Sequence, residues 1–166
     1  MPSPERILLD TNIIINLEDN KRIEDEYAKL SKVCGENGIQ LLIHESLYHD
    51  VLQDGDDTRK QISLSKLEKY PQIRRTACTR QEKERQFGSI NSDNDDIDTD
   101  LLVSLQHNIV DLFVTEDRRL RNRVQYDSEL HNRVLSVQDA LSLLYPIYGD
   151  ITIQYKNIVE STCDVY

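Results

Sequence analysis

The feature that most constrains this chain is the regular alternation of short apolar runs with amphipathic segments. "ERILLD" is an apolar run short enough for a buried parallel strand, and "KRIEDEYAKLSKVC" then spaces Ile23, Tyr27, Leu30 and Cys34 along one helix face. The glycine pair Gly35 and Gly38 is expected to end that helix. "IQLLI" reads as a second buried strand, and "HESLYHDVLQD" as a helix turning Leu47, Val51 and Leu52 inward. Farther along, "DIDTDLLVSLQHN", "DLFVT", "EDRRLRNRVQY", "RVLSV" and "QDALSLLYP" continue as helix, strand, helix, strand, helix. Strands separated by helices cannot pair as tight hairpins, so the pattern predicts an α/β fold with a mainly parallel sheet of four or five strands between layers of helices.

The 166 residues allow one domain, expected over residues 1–147. Near 55–94 the alternation loosens into a basic, partly helical insertion. Residues 148–166 also leave the pattern, and read as a tail that either packs on its own or begins a further domain. With 38% hydrophobic and 30% charged residues, a net charge of -10, no charged-then-apolar leader and no long apolar run, neither a membrane span nor a signal peptide is indicated, and the cytoplasm is the expected location. Cys34, Cys78 and Cys163 are odd in number and have no CxxC spacing, so they read as ordinary thiols.

In a parallel α/β sheet, ligands bind outside the carboxyl ends of the strands. Acids recur there: Asp10 ends the first strand, Glu45 and Asp50 follow the second, Asp95, Asp96, Asp98 and Asp100 open a helix, and Asp117 lies just past the strand "DLFVT". A single such acid is an ordinary helix cap. Several converging carboxylates repel one another unless a cation neutralises them, and all-oxygen donors suit Mg²⁺ or Mn²⁺.

On these residues the chain resembles the PIN-domain nucleases. "LLDTNIII" is similar to that family's first signature, and "LFVTEDRRL" to its last, a strand ending in Thr, one residue and then Asp. "DTDLLVSLQHN" between them places Asp98 where the third acid falls. The resemblance spans residues 6–145. It implies a three-layer PIN-like fold and a metal-dependent endoribonuclease cutting single-stranded RNA, with Asp10, Asp50, Asp98 and Asp117 as the catalytic acids holding one or two Mg²⁺ or Mn²⁺ ions. Water would attack without a covalent intermediate, one carboxylate helping to take its proton. Asp50 fits the second acid better than Glu45, although the family more often carries Glu there. Asp95, one turn before Asp98, remains a candidate ligand, while Asp96 reads as a helix-capping acid. Asn12 and Thr115 are expected to hold Asp10 and the nearby loop by hydrogen bonds, with a simple strand-end cap the other reading of Thr115. Family members include antitoxin-bound toxins, paired subunits and modules fused to downstream domains, so an antitoxin, a homodimer and a fused domain all stay open.

Two other families gather strand-end acids. The haloacid dehalogenase-like phosphatases need a second Asp two residues after the first, where Asn12 stands, and receiver domains need an acid pair after strand one and a late lysine, where the fourth strand ends "LSVQDA". The rival from outside enzymology is a catalytically inactive PIN-like module that binds RNA or protein. The basic segment from Arg59 to Arg85, with nine Lys or Arg against three Glu, has two readings. Arg59, Lys60, Arg74, Arg75 and Arg80 either track a phosphate backbone or form the solvated face of surface helices. His44, His49, His107 and His131 carry no assigned role, and Tyr27, Tyr48, Tyr126 and Tyr145 read as core and rim packing.

Overall fold

A strand buried on both faces needs an apolar side chain at every position, and in β1 (Arg6–Leu9) Ile7, Leu8 and Leu9 are all fully buried. The computed structural model describes residues 3–18 and 25–149. β1 pairs in parallel on one side with β2 (Gln40–His44) and on the other with β4 (Leu112–Val114). β3 (Gln72–Ile73) extends the sheet beyond β2, and β5 (Val134–Leu135) beyond β4, giving five parallel strands in the order β3-β2-β1-β4-β5.

Because side chains alternate along a strand, each strand feeds two cores. Ile7, Leu9, Ile43, Leu112 and Val114 point to one face. There they meet α1 (Thr11–Glu18), α2 (Asp25–Glu36) and α9 (Val137–Leu144) through Ile13, Ile14, Leu30, Val33, Ala140 and Leu144. Leu8, Leu42, Phe113 and Val134 point to the other face. They pack on α5 (Arg80–Phe87), α6 (Asp93–Gln106) and α7 (Arg118–Asn122) through Phe87, Leu101, Leu102, Leu105 and Leu120. The result is the three-layer α/β sandwich that the alternation predicted. α3 (Ser46–Leu52), α4 (Asp57–Leu67) and α8 (Ser128–His131) complete the helices among the described residues.

Several details differ from the sequence reading. Gly35 lies inside α2, and Gly38, at φ 65°, makes the turn into β2. Leu47 is buried, but Leu52 is 54% exposed because α3 ends there and its last turn faces away from the sheet. Tyr27 packs in the core as expected, whereas Tyr126 is 94% exposed in the turn after α7. The segment "EDRRLRNRVQY" yields only the short α7 and a run of turns. Residues 150–166, nearly all of the expected tail, lie outside the described residues. Among the described residues no helix is long and apolar enough to cross a membrane.

The basic insertion is joined to the body. The N–H groups of Ile43 and Glu45 donate to the carbonyls of Pro71 and Ile73, so the chain after Pro71 becomes an edge strand. Leu67, Phe87 and Ile90 from this segment are buried. A charged anchor adds to them: Lys83, 5% exposed, reaches Asp100 at 2.6 Å and Asp96 at 2.8 Å, while Arg75 holds the other oxygen of Asp100 at 2.7 Å. Burial opposes the charge on Lys83, but its bonds to Asp100 and Asp96 outweigh it and raise its pKa.

Removing one partner of a buried pair strands the other charge. Lys83→Met is therefore expected to destabilise the fold by about 3 kcal/mol in a urea titration, because Asp100 stays buried with only Arg75 left to it. Arg59→Ala, which breaks an exposed pair with Asp54, is expected to leave the urea midpoint unchanged.

Candidate functional site

The strand order reverses direction at β1 and β4, and in open parallel sheets the crevice outside the carboxyl ends of two such strands is the natural binding place. Asp10 is the first residue past β1. Its N–H continues the ladder to the Val114 carbonyl at 3.1 Å, and its carbonyl accepts from Ile13 and Ile14 to start α1. The backbone is thus fixed on both sides of the carboxylate. One carboxylate oxygen accepts the Thr11 N–H at 2.7 Å, and the other accepts the Thr115 hydroxyl at 2.6 Å.

Thr115 is fully buried, and its own N–H bonds to the Leu135 carbonyl. Its hydroxyl donates to Asp10 and accepts the Asp117 N–H at 3.0 Å, so one side chain sets the relative position of two acids. Asp117 then caps α7, accepting the N–H groups of Arg119 and Leu120. Glu116 between them turns away to accept the Val137 N–H at the start of α9.

Asp98 enters from α6, whose first turn is capped by Ser92. Asp50 enters from α3. Asp10, Asp50, Asp98 and Asp117 all line one cleft of about 420 Å³, together with Thr11, Asn12, Asp95 and Arg119. Four acids separated by as many as 107 residues in the chain therefore share one opening.

The other sequence candidates have different surroundings. Glu45 lies outside this cleft, and its carboxylate accepts the Arg75 N–H at 2.6 Å, which ties the segment after β3 to the end of β2. Asp95 lines the cleft, but its carboxylate is held by Arg123 at 2.9 Å and by the Asn91 N–H at 3.0 Å, so it braces the start of α6. The Asn91 N–H, then Arg123, keep its pKa below the usual value. Asp96 is the partner of Lys83. Arg59 is paired with Asp54, Lys60 with Asp57, Arg75 with Asp100 and Arg80 with Glu84. Arg74 is exposed, and none of these five cations lines the acidic cleft. Thr11 and Arg119 were missed, although both lie within the two quoted signatures and each stands one or two residues from an acid.

The acids burden one another. Burial raises the pKa of Asp10, the bonds from Thr115 and Thr11 oppose that rise, and the charge of Asp117 adds to it. Asp50 is raised by burial and by the charges of Asp10 and Asp93. Asp98 is pushed to about 7, first by burial and then by Asp10 and Asp117. Among the described residues, no three acid, His or Cys side chains are drawn tightly enough to enclose an ion by themselves. The donor set fits a hard cation: all oxygen, with more negative charge than the cleft can hold comfortably at neutral pH.

The sign of the pH effect follows from Asp98. Between an unfolded value near 3.8 and a folded value of about 7, the folded chain keeps a proton that the unfolded chain has released. Stability from this group is complete below the lower value and is lost as pH rises through the upper one. In EDTA the melting temperature is expected to fall between pH 5 and pH 8 more steeply in the wild type than in Asp98→Asn, as followed by circular dichroism. Compared with protein-family models and with curated proteins, the chain matches none, so the reading of this cleft rests on its residues and their geometry.

Proposed function

We propose that the cleft is the divalent-metal centre of a PIN-like endoribonuclease that cleaves single-stranded RNA. What supports this reading most is the convergence of Asp10, Asp50, Asp98 and Asp117 at the point where the strand order reverses, with Asp98 raised to about 7 by burial and by its acidic neighbours. Asp10, Asp98 and Asp117 would hold Mg²⁺ or Mn²⁺. A bound ion supplies Lewis acidity toward a phosphate oxygen and charge compensation for the leaving group.

The chain's own groups have distinct tasks. Thr115 fixes Asp10 and Asp117 relative to each other, so the acids need little reorganisation when substrate arrives. Asp50 stands on the solvent side of the cleft, and a carboxylate oxygen there can take a proton from attacking water and release it to solvent. Arg119, with its side chain 86% exposed at the cleft, can meet a phosphate oxygen.

The test is cleavage of labelled single-stranded RNA with Mn²⁺, Mg²⁺ or EDTA. Cutting is expected only with metal and is expected to drop by about 10²-fold or more in Asp10→Asn and Asp98→Asn. Thr115→Val is expected to lose about 10- to 100-fold while remaining folded. Asp50→Asn is expected to lose turnover but keep the rise in melting temperature on adding Mn²⁺, since that rise reports ion binding by mass action. A wild type that neither cuts nor gains stability from metal would overturn this proposal in favour of a PIN-like binding module.

A further inference from the structure

The segment "RRLRNR" (118–123) places four arginines in six residues on a chain of net charge -10. Two of them have carboxylate partners: Arg123 is bound to Asp95 at 2.9 Å, and Arg119 approaches the same acid at 3.7 Å. Among the described residues Arg118 and Arg121 have no carboxylate partner. They line a second cleft, of about 460 Å³, which none of the four acids Asp10, Asp50, Asp98 and Asp117 lines. Val134 and Leu135 of the edge strand β5 and His131 of α8 also line that cleft. Asp139 is the lone acid among its described lining residues. The Arg121 Nε is buried and makes no hydrogen bond among the described residues, an unusual state for a guanidinium nitrogen.

The two clefts share one helix start. Asp117, at the acidic cleft, is the cap of α7; Arg118, the next residue, faces the second cleft, and Arg119 lines the first. An extended polyanion lying across Asp117 would pass beside Arg118, the adjacent residue. The basic segment at 59–85 offers less to such a ligand, because Arg59, Lys60, Arg75, Arg80 and Lys83 are already in ion pairs.

We infer that the cleft between α7 and β5 is a binding site for the phosphate backbone of single-stranded RNA flanking the cleaved bond, with Arg118 and Arg121 as its anion-binding residues. Guanidinium groups pair with phosphate in two-point hydrogen bonds, and Arg118 and Arg121 line the same cleft. The choice of RNA rests on the nuclease reading.

The test uses the full chain carrying Asp10→Asn and a fluorescein-labelled oligouridylate of about 12 nucleotides, with affinity read by anisotropy at several salt concentrations. Arg118→Glu and Arg121→Gln are each expected to weaken binding about tenfold and to make the slope of log affinity against log salt shallower by about 0.7. Arg59→Glu is expected to change affinity less than twofold. Arg118 is exposed, so its variant keeps the test meaningful should Arg121→Gln fold poorly. Unchanged affinity in Arg118→Glu, or equal displacement of the RNA by polyglutamate of matched charge, would overturn this inference. Metal-dependent cutting by the unmodified chain would leave the nuclease reading standing in that case. Arginine-dependent binding by a chain that neither cuts nor gains stability from Mn²⁺ would instead uphold the anion site and overturn the nuclease reading.

Discussion

The pairing of β1 on both of its edges is the constraint on which the rest depends. With β2 on one side and β4 on the other, the end of β1 cannot move without breaking two ladders, and Asp10 sits one residue past that end with its own N–H still bonded to Val114. Rigid placement allows a half-buried carboxylate to persist, because the same backbone that holds it also aligns the Thr11 and Thr115 donors that offset its desolvation. A loop free to relax would turn Asp10 toward water.

The acids brought to that edge make the site strained by charge rather than by backbone geometry. Two of the neighbouring carboxylates are neutralised internally: Asp95 by Arg123, and Asp100 by Lys83 and Arg75. Asp98 lies between them in sequence and has no such partner among the described residues, although it is on the same helix. One helix therefore carries compensated acids that secure its packing and an uncompensated acid that faces the cleft. Structural ion pairs also perturb titration, and here the salt bridges of Asp95 and Asp100 separate the two roles.

The same division runs through the cations. Arg75 and Lys83 join the insertion to the acidic body, and Arg59, Lys60 and Arg80 are held in local pairs, which is why its local excess of Lys and Arg is a poor guide to a ligand surface. On α7 the balance is reversed. Asp117 takes two backbone N–H groups, Arg123 secures α6, and the remaining arginines stand beside the acids and along β5.

The alternation of apolar runs and helical segments was enough to predict parallel strands in layers, because burial on both faces leaves a nearly continuous hydrophobic signature in "ILL", "LLI" and "LFV". The positions of the acids just past β1 and β4 were legible too, because Asp10 and Asp117 closely follow apolar runs. β3 was not legible: two residues after a proline carry no period, and only the open edge of β2 makes them a strand. Leu52 and Tyr126 failed for a related reason, as helical spacing gives a face but not where a helix stops. The sequence by itself determined which residue types stand at the carboxyl edge and which strands carry them. Only the tertiary structure decided which acids keep their charge unanswered and which arginines stay available, because pairing depends on distances across residues such as Lys83 and Asp100, or Arg123 and Asp95, that chain order does not contain.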